Sequence, residues 1–237
     1  MTILRNTAEG QPSGTALTAA NSGGDSGSAF YYVYKSGASI DYTNAAGAHT
    51  GTNSYAIDTS NSTTPYATFG LQPTASWVGA IQVYFYFTSY PTSGDAWIAA
   101  AVNTSSSNVL YLWLTPAGSF RLSTTSGTIT ATTSDTVPLN TFVRIDVQFQ
   151  VNTAAPTQGT VRARACVGNS LAPFWSIGNT YANLGAQQIS SYVFGKQNSG
   201  SGALPVFYID TVAVQDDATD FMMPYIPPIA TSWMRFS

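Results

Sequence analysis

The amino-acid sequence predicts an all-β protein whose strands form a two-sheet sandwich or a barrel. Its 237 residues include one glutamate, Glu9, and two lysines, Lys35 and Lys196. Glutamate and lysine are the usual residues of surface helices, and this chain uses Ser, Thr, Gly and Asn instead. Apolar and polar residues alternate along much of the chain, and no segment sustains the 3.6-residue period of a helix. About a dozen short strands with turn residues every ~8–12 positions are typical of these two architectures.

In chain order, a Gly- and Ser-rich stretch over residues 10–28 predicts a loop that crosses the surface. The longest strand candidate is Trp77–Tyr90, where an apolar stripe at odd positions alternates with Gln82, Tyr84 and Tyr86. Further strands are predicted near Phe30–Lys35, Ser39–Tyr42, Ser54–Ile57, Tyr66–Leu71, Ala96–Val102, Asn108–Leu114, Ser119–Ser123, Ile129–Thr133, Ser190–Gly195 and Val206–Gln215.

The clearest alternation predicts a hairpin between residues 142 and 167. Val143, Ile145, Val147, Phe149 and Val151 point one way, and Arg144, Asp146 and Gln148 point the other. The next strand repeats the pattern, with Arg162 and Arg164 on its polar side. The connector NTAAPTQG supplies proline and glycine for the turn. A second exposed hairpin is predicted over 124–136, where Thr, Ser and Gly dominate.

Composition excludes several classes of function. Net charge is −3 and the sequence pI is about 4.7, so no basic face is expected for nucleic acid. Cys166 stands alone, which excludes an intrachain disulfide and a thiolate metal cluster. The N-terminus lacks the pattern of a signal peptide, and no run approaches ~18 apolar residues, so we expect no membrane partner.

Few residues suit acid–base catalysis or metal binding. His49 is the only histidine and lies in a loop, which does not indicate a catalytic triad. Asp146 is expected to pair with Arg144, Arg162 or Arg164, and Asp210 to accept structural hydrogen bonds. The loop at residues 21–25 offers oxygen atoms but only one carboxylate, so a flexible loop is favoured over a Ca²⁺ site. We therefore expect no catalytic residue, no metal and no cofactor.

Aromatic and guanidinium side chains supply the candidate binding residues. Tyr84, Tyr86, Tyr111 and Trp113 lie opposite the aliphatic stripes of their strands and would form one patch if both strands shared a sheet. Three interpretations stay open for that patch: burial under loops or the C-terminal tail, a subunit interface, or a glycan groove. The same alternatives apply to the polar face carrying Arg144, Asp146, Arg162 and Arg164, with pairing between subunits favoured.

The last 17 residues form an apolar segment broken by Pro224, Pro227 and Pro228. Those prolines forbid a helix or a central strand. The segment is expected to be extended, and either to pack on its own domain or to dock on a neighbouring subunit. The residues proposed to dock are Phe221, Met222, Met223, Tyr225, Ile226 and Trp233.

Both ends of the chain resemble one known group of domains. The N-terminal residues that match its opening pattern are Asn6, Glu9-Gly10, Gly14-Thr15, Thr18, Asn21-Ser22-Gly23-Gly24, Ser26-Gly27 and Phe30. The strand Phe207–Val214, FYIDTVAV, is similar to its closing "Y-I-D-x-V-x-V" pattern. On these motifs the chain resembles concanavalin A-like, or laminin-G-like, jelly-roll sandwiches of tailed phages and actinobacteria.

The resemblance implies a single two-sheet antiparallel jelly-roll β-sandwich over residues 1–220, followed by an extended arm over 221–237. The group includes virion surface proteins, sugar-binding modules and glycan-cleaving enzymes. Its glycan-cleaving members use a Glu-x-Asp-x-x-Glu type triplet, which a chain with Glu9 as its only glutamate lacks. The sequence therefore predicts that the protein is not an enzyme.

The expected function is that of a structural protein of a tailed-phage virion. Capsid decoration on the head surface comes first, and a minor tail protein comes second. Its partners would be other virion subunits and further copies of itself, and it would be made in the host cytoplasm without an export signal. The alternative is an extracellular carbohydrate-binding adhesion module, whose partner would be a surface glycan.

Overall fold

Sixteen β-strands and one short 3₁₀ helix, Pro156–Gln158, account for the regular structure of the computed structural model, which describes residues 2–25, 27–60, 66–131, 133–196, 203–218 and 220–224. In chain order the strands are β1 Ile3–Asn6, β2 Tyr32–Ser36, β3 Ser39–Thr43, β4 Ser54–Asp58, β5 Tyr66–Leu71, β6 Val78–Phe87, β7 Ala96–Asn103, β8 Asn108–Leu114, β9 Phe120–Thr124, β10 Gly127–Ile129, β11 Thr133–Ser134, β12 Phe142–Gln150, β13 Gly159–Val167, β14 Trp175–Ala182, β15 Ile189–Lys196 and β16 Val206–Asp216.

The strands form two antiparallel sheets, which confirms the predicted sandwich. The nine-stranded sheet has the order β11-β14-β13-β12-β6-β16-β4-β3, and β1 pairs with β16 beyond the end of β4. The seven-stranded sheet has the order β10-β9-β8-β7-β15-β5-β2. Within the described residues no helix is long and apolar enough to cross a membrane.

The core lies between the two sheets and is built by the predicted alternation. β12 contributes Val143, Ile145, Val147 and Phe149, all buried. The predicted hairpin is present, since β12 pairs with β13 along its length and Asp146 lies opposite Arg164. Leucines and phenylalanines of β8, β9 and β15 fill the other side of the core. Burying apolar side chains between two sheets is the main stabilising term of such a fold.

The N-terminal motif fastens the start of the chain to the loop between β3 and β4. The Glu9 carboxylate accepts hydrogen bonds from the backbone amides of Thr52 and Asn53, both at 3.0 Å, and from the Thr52 hydroxyl at 2.9 Å. Gly51 has a φ of +75°, and a Cβ there would overlap that carboxylate. The glutamate therefore has a structural role, and the tight turn beneath it requires glycine.

Replacing Glu9 by alanine should lower the free energy of unfolding by about 1–2 kcal/mol, because three hydrogen bonds to a carboxylate are lost at a partly exposed site. Chemical denaturation of the variant beside the wild type measures the loss. Glu9→Gln keeps the oxygen that accepts the two amide hydrogen bonds and should lose clearly less. Equal unfolding midpoints for Glu9→Ala and the wild type would remove this role from Glu9.

Candidate functional site

The four aromatic residues predicted to share a patch lie in different sheets. Tyr84 and Tyr86 belong to β6 of the nine-stranded sheet, and Tyr111 and Trp113 belong to β8 of the seven-stranded sheet. The single patch required both strands in one sheet, so it does not form. Each pair lies on its own outer surface of the sandwich and has its own neighbours.

On the outer surface of the nine-stranded sheet, Tyr84 is fully buried under two loops. The His49 ring stacks on it with 3.7 Å between ring centroids. The Tyr84 hydroxyl donates a hydrogen bond to the Asn169 amide oxygen at 2.8 Å. Tyr86 is half-buried, and its ring packs beside Phe142 and Tyr208. Tyr84 therefore lies beneath loops, and Tyr86 is the more exposed of the two rings.

The predicted guanidinium-rich face forms its ion pairs within the chain. Arg144 is fully buried, and its Nε donates to Asp146 Oδ2 at 3.0 Å. Its terminal nitrogens donate to the carbonyl groups of Gly168 and Ser170. Arg164 Nε donates to the same Asp146 oxygen at 2.8 Å. The predicted ion pair of Asp146 is thus present, and pairing of Arg144 and Arg164 between subunits is not needed.

The described part of the C-terminal segment packs back on this same surface. Gln82 donates to the carbonyl oxygens of Met222 and Met223 at 3.3 and 3.1 Å. The guanidinium groups of Arg162 and Arg164 lie 4.7 and 4.5 Å from the centre of the Phe221 ring. The other predicted docking residues, Tyr225, Ile226 and Trp233, lie outside the described residues. Residues 220–224 therefore cover the polar face of their own sandwich.

Buried Asp210 and half-buried His49 are neighbouring titratable groups at this surface. The Asp210 carboxylate accepts hydrogen bonds from the backbone amides of Thr50 and Thr211, as predicted for a structural acceptor. Burial has a larger effect than those hydrogen bonds and raises the pKa of Asp210 to about 7. The hydrogen bonds favour the charged form and act to lower this pKa. Burial lowers the pKa of His49 to about 4, so the imidazole is neutral at neutral pH.

The raised pKa of Asp210 and the lowered pKa of His49 predict opposite dependences of the unfolding free energy on pH. Asp210 holds its proton more tightly in the folded state, so its contribution is complete below about pH 4 and is lost as the pH rises through 7. His49 contributes stability that is present above pH 6.5 and is lost as the pH falls through 4. As the pH rises from about 4 to 6.5, the stability contributed by Asp210 falls while that contributed by His49 rises, so in the wild type the two changes partly cancel.

Replacing Asp210 by asparagine should separate the two effects. Between pH 4 and 7, the unfolding free energy of the wild type should fall by roughly 2–4 kcal/mol relative to the variant, since a tenfold difference in proton affinity is about 1.4 kcal/mol. Urea unfolding of both proteins at several pH values measures this difference. A difference that does not change with pH would contradict the assignment to Asp210.

The loop at residues 21–25 has a structural arrangement in the residues described. The Asn21 side chain accepts from the Thr18 amide at 2.8 Å and donates to the Ala16 carbonyl at 2.9 Å. The Ser22 hydroxyl accepts from the Phe30 amide. Within the described ranges no three His, Cys, Asp or Glu side chains are placed to share a metal ion.

The outer surface of the seven-stranded sheet carries a layer of aromatic rings in two groups, with small apolar residues between them. One row of paired residues crosses the sheet from Tyr32 on β2 through Gly70, Val193 and Ala100 to Tyr111 on β8. The small residues in the middle strands let rings from both sides approach, and the Tyr31 and Tyr32 rings lie over Gly70. We call this layer the aromatic face; its rings are Tyr31, Tyr32, Tyr34, Tyr66, Trp97, Tyr111 and Trp113.

The aromatic face is partly open to solvent. Tyr31 is 45% and Tyr34 is 50% exposed, and Tyr111 and Trp113 are half-buried. Arg121 lies 4.9 Å from the centre of the Trp113 ring and pairs with Asp95 at 2.8 Å, so the two charges cancel. The sequence predicts strands near Phe30–Lys35 and Tyr66–Leu71 without assigning which side chains face outward. The alternation in YYVYKS would have placed Tyr32 and Tyr34 together.

A cleft of about 570 Å³ opens at one end of the aromatic face. Tyr31, Val102 and Val193 line it and join it to the rings. The rest of its lining is uncharged and rich in hydroxyl and amide groups, from Gln72, Asn103, Thr104, Ser106, Asn108, Ser190 and Ser191. Flat rings beside uncharged hydrogen-bonding groups are the combination that binds sugar rings.

Neither the family models nor the curated proteins compared with this chain include a match. Several solved structures are similar in fold. The alginate lyase Aly36B has a TM-score of 0.63 at 9% identity, over 92% of this chain and 98% of that one. The alginate lyase from Aplysia kurodai has 0.51 at 12%, over 75% and 87%. The cellulose-induced protein Cip1 has 0.55 at 12%, over 76% and 86%.

These likenesses contradict the prediction that the chain is not an enzyme. Two of the similar structures are lyases that match over most of their length, so this architecture carries enzymes. The prediction failed because the absence of a carboxylate pair argues only against hydrolysis and leaves other reactions open. An elimination can use a histidine, tyrosine or lysine as its base.

At these identities the likeness extends to the fold and no further. It gives no support to a virion origin or to virion partners. It does support the jelly-roll assignment made from the two terminal motifs. The chain is a β-sandwich of the concanavalin A-like jelly-roll type.

Proposed function

We propose that this protein binds neutral polysaccharide chains on the aromatic face of its seven-stranded sheet. The observation that carries the proposal is the layer of rings from Tyr31 to Trp113, open to solvent on a surface that no other described segment covers. The outer surface of the other sheet is less accessible, because Ala218, residues 220–224 and two loops lie on it. The aromatic face therefore offers several partly exposed rings on which a ligand can stack.

The shape of the aromatic face suits an extended ligand. Neighbouring strands lie about 4.8 Å apart, so the four spacings from β2 to β8 span roughly 19 Å, the length of several sugar units. Rings at both sides can stack on the apolar faces of pyranose rings. The cleft beyond Tyr31 supplies amide and hydroxyl groups for the sugar hydroxyls.

The electrostatics favour an uncharged glycan over a polyuronate. The protein has a net charge of −3, which repels a polyanion such as alginate. Arg121, the guanidinium stacked on Trp113, is already neutralised by Asp95. A neutral sugar needs no counter-charge, so stacking and hydrogen bonds are sufficient for its binding.

Placement on a tailed-phage particle, with head or tail subunits and further copies as partners, stays a prediction from the terminal motifs. A chain with only 8% charged residues is compatible with repetitive packing. Glycan binding and a virion location are compatible, because a particle surface can carry an adhesion module. The location of the protein, either in the virion or outside the cell, is likewise a proposal from the sequence.

Affinity gel electrophoresis tests the proposed function directly. The protein is run in native gels that contain hydroxyethylcellulose, galactomannan or alginate, with bovine serum albumin as the control. We expect retardation by a neutral polymer that persists at high salt, and little retardation by alginate. Retardation by alginate alone, lost as salt increases, would overturn the neutral-glycan proposal. Formation of unsaturated products from alginate, followed by ultraviolet absorbance, would replace it with a lyase function.

A further inference from the structure

A second exposed tyrosine lies far from the aromatic face, at the edge of the nine-stranded sheet. Tyr181 is near the end of β14 and is 74% exposed. It pairs with Thr160 on β13, which pairs with Gln150 on β12. Thr160 alternates with the core residue Val161, so this row of three side chains lies on the outer surface of the sheet.

Two clefts meet at Tyr181. One, of about 470 Å³, continues along the row to Gln150 and Thr160 and is completed by Val151, Asn152, Thr153 and Gln158. The other, of about 570 Å³, lies between the β9–β10 hairpin and the end of β14 and is lined by Thr124, Ser126, Gly127, Thr128, Ile129, Thr130, Ala131, Thr157, Thr180, Ala182 and Asn183. The Tyr181 ring therefore lines both clefts.

The lining of both clefts contains hydroxyl and amide groups but no charged residue. The side chains of Gln150, Thr160 and Tyr181 form no hydrogen bond with another residue of the described ranges. The sequence has no charged residue between Arg164 and Lys196. Sheet edges are usually protected by charged residues or proline, so an uncharged edge with an exposed ring needs an explanation.

We propose that Tyr181 and the two clefts beside it form a second saccharide site, specific for neutral sugars and independent of the aromatic face. The ring would stack on one sugar unit, while Gln150, Thr160 and the threonines of the β9–β10 hairpin bind hydroxyl groups on either side. Because the clefts of the two sites share no lining residue, one molecule could bind two chains. Such bivalent binding strengthens attachment to a polymer without any further contact.

Two variants of Tyr181 and one control distinguish a specific effect of the Tyr181 ring on binding from the effect of losing exposed apolar surface in general. Tyr181→Ala should weaken retardation in a galactomannan or hydroxyethylcellulose gel by at least about fivefold, since an aromatic contact is worth about 1 kcal/mol. Tyr181→Phe keeps the ring and should retain most of the binding. Leu171→Ala, at a 59% exposed residue in the loop between β13 and β14, is the control and should bind like the wild type.

The outcomes distinguish this proposal from the proposed function. If Trp113→Ala abolishes binding and Tyr181→Ala has no effect, the aromatic face is the sole site and the second site is refuted. If only Tyr181→Ala weakens binding, the second site stands and the aromatic-face proposal fails. Retardation of the wild type by neither polymer overturns both. A change in solution mass on Tyr181→Ala, with binding unaltered, would make this edge a contact between protein copies and refute the saccharide site.

Discussion

Replacing Asp146 by alanine should lower the free energy of unfolding by about 3–5 kcal/mol, because the change leaves a buried guanidinium without its counter-ion. Arg144 is fully buried, and Asp146 Oδ2 accepts hydrogen bonds from both Arg144 and Arg164. Asp146 Oδ1 also accepts from Gln82 at 3.0 Å. One substitution therefore removes three hydrogen bonds and two ion pairs from the middle of the sheet.

The matched control for this prediction is the ion pair between Arg162 and Asp220. Its separation is also 2.8 Å, but the Asp220 side chain is 78% exposed. Replacing Asp220 by alanine should therefore cost less than about 1 kcal/mol, because water screens the pair. Urea unfolding monitored by tryptophan fluorescence measures both variants. Similar losses for the two aspartates would show that burial of Arg144 is not what makes Asp146 important.

A double substitution tests the cause further. Arg144→Met together with Asp146→Leu removes both charges and keeps apolar bulk in the sheet. This variant should recover much of the stability that Asp146→Ala loses, since the penalty comes from the unpaired charge. The ion pair between Arg144 and Asp146 would then specify the local structure of the sheet without being a main source of its stability.

Replacing Tyr111 and Trp113 together by alanine should weaken binding to a neutral polysaccharide by at least about tenfold, because aromatic anchors at the centre of a binding surface carry much of its free energy. The two rings stack with 6.0 Å between their centroids, and Trp97 packs against both. The Trp113 Nε1 group donates to the Ser123 hydroxyl at 2.8 Å, which fixes the ring on the sheet.

Affinity electrophoresis with hydroxyethylcellulose or galactomannan measures the effect, and a thermal melt checks that the double variant is folded. Tyr208→Ala is the matched control, because Tyr208 is a half-buried aromatic residue on the opposite surface of the sandwich. It should bind like the wild type. Unchanged binding by a folded Tyr111→Ala, Trp113→Ala protein would exclude the aromatic face as the site.

The fold could be predicted because its signals are local. Alternation along β12 and β13, with proline and glycine between them, was enough to fix the hairpin and the inward side of each strand. The role of Asp146 followed, since its neighbours Arg144 and Arg164 lie on the same or the adjacent strand. The terminal motifs then selected a jelly roll among the possible sandwiches.

The site could not be predicted in the same way because sheet membership is a non-local property. Tyr86 and Trp113 look equivalent in sequence, yet β6 and β8 belong to different sheets. The packing of Phe221 under Arg162 and Arg164 depends on how a terminal segment folds back, which alternation does not encode. The prediction about enzymatic activity failed for a different reason: it rested on the missing carboxylate pair, which does not argue against an elimination.

The pairing of β1 with β16 has a mechanical consequence. Ile3 lies opposite Gln215, so both ends of the sandwich leave the same end of one antiparallel pair. A pulling force applied between them would load the hydrogen bonds of that pair one after another and peel β1 away at low force. Peeling would stop at Asn6, whose side chain donates to the carbonyls of Ser22 and Ser28 and accepts from the Tyr55 hydroxyl. A protein tethered by both ends would thus yield first at its N-terminal strand, with both proposed binding surfaces intact.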